Sequence, residues 1–300
     1  MPSLVSSVVR EQIRLLKPIL TKSSIAASRS LQEALGELGA KTVAGKVQFQ
    51  DFDLEDCPAC WAVPEDSLLE DPRAVLYLHG GGYVAGSIRF AKGFAGVLTS
   101  KTQVRTLCAA YRLAPEHPFP AALEDALAAY RYLLSQGYDP AHITLMGESA
   151  GGGLLVSLCL RLKELGLPLP VRIIPISPWT DLTLSGESFV RNQKADICLT
   201  REELEGFAAA YAPDRTHDPL VSPVLGDLKG LPSCWIYVGG EEILLDDSQL
   251  LASRLEDAGV PCHLHVQEGM WHAYLLYGVP EANEALAEIR ALLEEDWHEG

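Results

Sequence analysis

Positive charge is scarce in this chain: 24 Lys and Arg stand against 40 Asp and Glu, a formal net charge of −16. The bases are scattered rather than gathered in a run, which argues against a nucleic acid or an anionic membrane surface as partner. Long apolar runs are lacking as well. Arg10, Glu11, Arg14 and Lys17 interrupt the N-terminal apolar residues before a secretory pattern can form. Nothing elsewhere approaches the roughly 20 apolar residues of a membrane span, so no membrane insertion is expected. The seven cysteines are an odd number in a 300-residue chain, which leaves no complete disulfide framework and points to a reducing, cytoplasmic setting. Cys57-Pro58-Ala59-Cys60 has the spacing of a redox or metal pair. It has no companion pair, though, and falls in an expected edge strand rather than at a helix start.

What is present in quantity is apolar side chain, 48% of the sequence, enough to bury a large core in one α/β domain or two small ones. Apolar spacings of three and four predict amphipathic helices over 3–17, ending near Pro18, and over 23–38. Both precede the first strand signal and so belong outside the sheet core. Strands are expected over 47–52 and 60–63, and the unbroken apolar run at 74–78 reads as a central strand buried on both faces. Helices and strands then alternate: helix 87–101, strand 104–109, helix 121–135, strand 143–146, a buried helix, and strand 171–177. Further on come strand 234–238, helix 247–258, strand 263–267 and helix 281–296. Such alternation predicts an α/β fold, a mostly parallel central sheet with helices on both faces. The Pro-punctuated stretch from about 180 to 230 breaks the pattern and reads as an insertion.

Gly147-Glu148-Ser149-Ala150-Gly151 lies between strand 143–146 and the following buried helix. A Gly-x-Ser-x-Gly alone arises by chance too often to carry weight, but a strand-to-helix turn is the setting of a nucleophile elbow. The helix starting beneath the serine would aim its free N–H groups at an oxyanion.

A nucleophilic serine needs a base, a group to orient it, and oxyanion donors. In such sheets these come from loops after the strands. Among eight histidines, His272 in Gly269-Met270-Trp271-His272 is the one placed in such a loop after the last strand. His263 and His265 alternate onto one sheet face, where packing accounts for them, and His117, His142, His217 and His298 do not follow a strand. For the acid, the loop 239–247 offers four carboxylates. Asp246 and Asp247 stand where a helix begins and read as capping or dipole groups, and position alone does not separate Glu241 from Glu242. His79-Gly80-Gly81-Gly82 ends the central strand and, with Ala150, supplies backbone donors for an oxyanion hole.

With these residues in view the chain resembles the hormone-sensitive-lipase family of esterases, within the α/β-hydrolase fold. The resemblance runs from about 73 to 277. It rests on 79–83, on the Tyr111-Arg112-Leu113-Ala114-Pro115-Glu116-His117-Pro118 stretch through Ala122, and on 147–152. It continues through Ser177-Pro178-Trp179-Thr180-Asp181-Leu182, 242–247 and 269–272. The family's Asp-x-Leu-x-Asp pattern begins here at Glu242, which the resemblance makes the acid over Glu241, with Asp246 the runner-up. The family often has Asp where this chain has Glu148. The resemblance further implies an oxyanion hole of Gly81, Gly82 and Ala150 and a helical cap formed by 1–45 and an insertion near 185–215, the core spanning 46–300. The 111–122 loop is expected to be structural.

The expected reaction is hydrolysis of short to medium acyl esters through a Ser149–His272–Glu242 triad and an acyl-enzyme, with no metal or organic cofactor. Tyr83, Trp179 and Phe207 are candidates to line the pocket. A non-catalytic small-molecule receptor on the same fold is the rival reading, and a lactonase, amidase or acyltransferase could use the same triad. A homodimer is compatible with family analogy.

Overall fold

The computed structural model describes residues 2–20, 25–54, 57–66 and 71–298. Its strands are β1 (Val47–Leu54), β2 (Cys57–Pro64), β3 (Ala74–Leu78), β4 (Thr106–Ala109), β5 (Ile143–Glu148), β6 (Arg172–Ile176), β7 (Ser233–Gly239) and β8 (Cys262–Gln267). They form one sheet in the order β1-β2-β4-β3-β5-β6-β7-β8. The two contacts involving β2 are antiparallel and all the others are parallel.

Central strands are apolar on both sides because helices cover both faces. In β3, Leu76 and Leu78 pack into the core with α4 (Ala121–Ser135), α5 (Ala150–Glu164) and α8 (Leu245–Asp257). Val75 and Tyr77 point the other way, against α3 (Ile88–Thr102) and α9 (Pro280–His298). Each Leu, Ile or Val so buried stabilises the fold by about 1.5–3 kcal/mol. Helix α5 runs beneath the sheet edge almost wholly buried, which is why its sequence is apolar all round.

Two sequence expectations are corrected here. Strand β2 lies one position in from the edge, and the edge is β1. Cys57 and Cys60, three apart on a strand, face opposite sides of the sheet and sit in different core clusters, so they cannot share a metal or form a pair. At the N-terminus, α1 (Leu4–Leu20) does not stop before Pro18 but continues past it.

Helix α2 (Ile25–Thr42) crosses α3 at a point where side chains are absent. A Cβ at Gly36 would stand 2.3 Å from the Arg89 carbonyl oxygen, and Gly93 faces Gly36 in turn. Between β6 and β7 lie α6 (Ser188–Arg191) and α7 (Arg201–Tyr211), the latter opened by a capping box in which Thr200 and Glu203 satisfy each other's backbone N–H groups. Among the described residues no helix is long and apolar enough to cross a membrane.

Candidate active site

Strand β5 delivers Ser149 into a sharp turn with φ 56° and ψ −122°, and α5 starts at the next residue. The turn is possible because its neighbours lack side chains: a Cβ on Gly147 would meet the Gly151 carbonyl oxygen at 2.6 Å, and one on Gly151 would meet the Leu78 carbonyl oxygen at 2.0 Å. The Ser149 N–H donates to the Ile176 carbonyl at 2.9 Å, and the Ser149 carbonyl accepts the Trp179 N–H at 3.0 Å. The serine is thus clamped between its own strand and the end of β6.

The next residue, Ser177, reaches the other half of the site. Its hydroxyl donates to Glu242 Oε1 at 2.7 Å and accepts the Ala273 N–H at 2.9 Å. Glu242 Oε1 also accepts the Gly239 N–H at 2.6 Å, which leaves Oε2 for His272 Nδ1 at 2.7 Å. Glu242 is fully buried. Burial alone would keep the His272 imidazole neutral, but the hydrogen bond and charge of Glu242, helped by Asp196 and Glu148, overcome it and raise the His272 pKa. Ser149 Oγ makes no hydrogen bond to His272, whose Nδ1 is turned to Glu242.

Glu241, which position could not separate from Glu242, turns away and pairs with Arg10 of α1. Arg10 also donates to the Gly269 carbonyl at 3.3 Å, so it touches both the acid-bearing and the histidine-bearing loops. Asp246 and Asp247 lie in the first turn of α8, where their charge complements the helix dipole, but neither caps it, since the N-cap position, Leu244, has no side-chain cap. Asp247 instead accepts the Thr180 and Asp181 N–H groups, both at 2.8 Å, and Asp246 accepts the Ser188 N–H at 2.8 Å. Those donors belong to a loop with no ladder of its own, and the two carboxylates satisfy them.

The loop after β3 is held atom by atom. The His79 carbonyl accepts the Tyr111 hydroxyl at 2.6 Å, the Gly80 N–H donates to Glu148 Oε1 at 2.6 Å, and the Gly80 carbonyl faces His79 Nδ1 at 2.7 Å. The Gly81 carbonyl accepts the Val84 and Ala85 N–H groups at 3.1 and 2.9 Å. Among the described residues, the N–H groups of Gly81, Gly82 and Ala150 have no protein acceptor. His79 itself is a packing residue: its ring stacks on Tyr111 at 4.2 Å, and burial lowers its pKa to about 4, keeping it neutral. The 111–122 loop buttresses this region further, with Arg112 in a two-pronged ion pair to Asp125.

Of the three pocket candidates, Tyr83 and Trp179 are fully buried, Tyr83 stacking on Tyr211 at 3.8 Å. Phe207, on α7, is half-buried, and its ring covers Gly82 so closely that a Cβ there would meet it at 2.3 Å. Sequence reasoning missed the roles of Ser177 and Asp196. Asp196 accepts the Ile243 N–H at 2.8 Å and so anchors the residue after Glu242. Both stand in stretches already set apart by motif or by proline content, but their partners are far away in the chain.

Comparison with known proteins gives this geometry a family. Residues 75–276 match the family profile described as alpha/beta hydrolase fold. An esterase structure from the bacterial hormone-sensitive lipase family superposes with a TM-score of 0.91 at 37% identity, covering 99% of both chains. The chain belongs to the hormone-sensitive-lipase family of α/β-hydrolases. Two curated relatives of this esterase carry related names. An acetyl-hydrolase of Streptomyces hygroscopicus is 39% identical over 273 residues, covering 90% of this chain and 88% of its own. An esterase of Acinetobacter venetianus is 39% identical over 219 residues, 72% of each chain. The esterase is a serine carboxylesterase by these relationships.

Proposed function

We propose that this carboxylesterase works through a Ser149–His272–Glu242 triad on short to medium acyl esters. The observation that carries the assignment is the 2.7 Å contact between His272 Nδ1 and the buried Glu242 Oε2, whose other oxygen is already committed to Ser177 and Gly239. With the imidazole proton on Nδ1, shared with that carboxylate, Nε2 acts as the base. Ser149 Oγ bonds to the ester carbonyl carbon as His272 takes its proton. Gly81, Gly82 and Ala150 supply the N–H groups that meet the resulting oxyanion, each such donor typically worth about 2.7–4 kcal/mol in the transition state. The carbon–alkoxide bond then breaks, with the alcohol leaving on the proton held by His272. Water then gives a proton to His272 and its oxygen to the acyl carbon, the bond from that carbon to Ser149 Oγ breaks, and His272 returns the proton to Ser149 Oγ as the carboxylic acid departs.

Residues 1–45 and the insertion near 185–215 form the cap in this reading, with Phe207 bounding the substrate space above Gly82 and with Tyr83 and Trp179 beneath it. Small acyl groups fit the acetyl-hydrolase relative. The enzyme acts in the cytoplasm, as a homodimer by family analogy. The test is hydrolysis of a chain-length series of p-nitrophenyl esters by wild type and Ser149→Ala. Rapid turnover of acetate and butyrate by wild type, with none by the variant, is expected. Equal rates would overturn the nucleophile. Binding of a small apolar ligand without turnover by either would mark a receptor.

A further inference from the structure

The residue immediately before the nucleophile carries a buried carboxyl that the acyl-transfer steps do not use. Glu148 is 2% exposed and, among the described residues, pairs with no Lys or Arg. Its Oε2 accepts the Tyr77 hydroxyl at 2.7 Å and its Oε1 accepts the Gly80 N–H at 2.6 Å. An acidic side chain taken out of water without a cation is costly, and here burial raises its pKa to about 7 against the pull of both hydrogen bonds. A cost of that kind calls for a return.

The return lies in what the Gly80 bond fixes. The His79 carbonyl is pinned by Tyr111, the Gly80 carbonyl faces His79 Nδ1, and the Gly81 carbonyl is pinned by Val84 and Ala85. The Gly80 N–H belongs to the same segment leading into Gly81 and Gly82, and Glu148 holds it. Because Glu148 is also the chain neighbour of Ser149, a single side chain ties the oxyanion loop of β3 to the elbow of β5. Tyr77, one strand over, fixes the carboxyl from its far side and so sets how far it reaches.

We propose that Glu148 is a positioning residue for the oxyanion hole: through the Gly80 N–H it sets where the Gly81 and Gly82 donors stand relative to Ser149 Oγ. This rests on the triad and oxyanion reading given above. Hydrogen bonds that meet the oxyanion act only in the transition state, so a displaced loop lowers kcat and leaves KM nearly alone.

The experiment compares the full-length wild type with E148A, E148Q and S149A on p-nitrophenyl butyrate, with butylboronic acid as a probe of the tetrahedral adduct. E148A is expected to lose about 10²-fold in kcat, in the range of one lost oxyanion donor, with KM within about threefold and boronate affinity falling in step with kcat/KM. E148Q keeps a carbonyl oxygen for the Gly80 N–H and should recover most of that loss. If E148A does not fold, E148L, of similar bulk and without an acceptor, takes its place, with a cooperative melt as the criterion for inclusion. Unchanged kcat and boronate affinity in the acceptor-less variant overturn the proposal, and so do equal losses in it and E148Q. An active S149A would instead overturn the underlying triad reading, whereas an inactive S149A beside a normal E148A overturns the positioning role alone.

Discussion

Ser177 Oγ lies 2.7 Å from Glu242 Oε1, the carboxylate oxygen that faces away from His272. The same hydroxyl takes the Ala273 N–H at 2.9 Å, one residue beyond the histidine. One hydroxyl therefore fixes both the acid and the loop of the base. Ser177→Ala leaves the Ala273 N–H without its partner and leaves Glu242 Oε1 held by the Gly239 N–H alone. The expected outcome is a fall in kcat of about 10–100-fold together with about 1–3 kcal/mol of lost stability, the cost of an orphaned buried donor. Steady-state kinetics and a denaturant melt measure the two parts, and a variant normal in both would show the bond to be incidental.

The two adjacent glutamates give a sharper contrast. Glu242 holds the imidazolium, whereas Glu241 reaches Arg10. Glu242→Gln should lower kcat/KM by about 10³–10⁴-fold, as loss of the orienting carboxylate does in serine hydrolases. His272 must be neutral to act, and its pKa is raised with Glu242 as the main raising influence, so wild-type activity falls as pH drops through that raised value. Removing the carboxylate moves this acid limb to lower pH. Glu241→Gln should leave both the rate and the limb where they are. A pH profile of kcat/KM for the two variants decides it, and the opposite ranking would shift the acid by one residue.

Stability should be lost on both sides of mildly acidic pH for two separate reasons. The His79 pKa is lowered from 6.5 to about 4, so the unfolded chain takes up a proton that the native one refuses, and stability falls as pH drops from 6.5 toward 4. The Glu148 pKa is raised from 4.5 to about 7. Its contribution is therefore whole below pH 4.5 and lost as pH rises through 7, by roughly 3 kcal/mol at most. Tyr77, Tyr111 and His272 are the titratable groups around it; the Tyr77 hydroxyl favours the carboxylate through its hydrogen bond, and the His272 imidazolium favours it through charge. Glu148→Gln should accordingly gain melting temperature relative to wild type at pH 8 but not at pH 4.5. Parallel melting curves across pH would contradict this.

Phe207 covers Gly82 from above, and trimming it should widen the space next to the oxyanion hole. Phe207→Ala is expected to raise the ratio of kcat/KM for hexanoate over acetate esters by about tenfold or more, a methylene in an apolar pocket being worth about 1–3 kcal/mol. An unchanged ratio across the chain-length series would place Phe207 outside the substrate space.

How much of this could be read in advance depended on the distance over which each residue acts. The elbow was legible because its constraint is local: Gly147 and Gly151 stand within two residues of Ser149 and have carbonyls where side chains would be. His263 and His265 were legible for the same reason, since strand alternation alone puts them beside Trp235 and Tyr237, on which their rings rest. Position could not separate Glu241 from Glu242, because what separates them is Arg10, more than two hundred residues earlier in the chain. Asp246 and Asp247 stand in the first turn as the dipole reading expects, but their hydrogen-bond partners escaped notice for a related reason. A carboxylate in a first turn looks the same whether it serves its own helix or, as here, the unpaired N–H groups of the 180–188 loop. The role of Ser177 lay beyond sequence reasoning, because its two partners come from the ends of two other strands.

The crossing of α2 and α3 at Gly36 bears on how such an enzyme can be retuned. One turn before that glycine, Gln32 lies against Gly81, and Arg29 donates to the Val84 carbonyl at 2.8 Å. The second helix thus stands as a wall against the 81–85 loop, and its standoff from α3 is set by the side chain that Gly36 lacks. Supplying that side chain as a single methyl group at position 36 would act as a shim, moving the whole wall outward without altering any residue that meets the substrate.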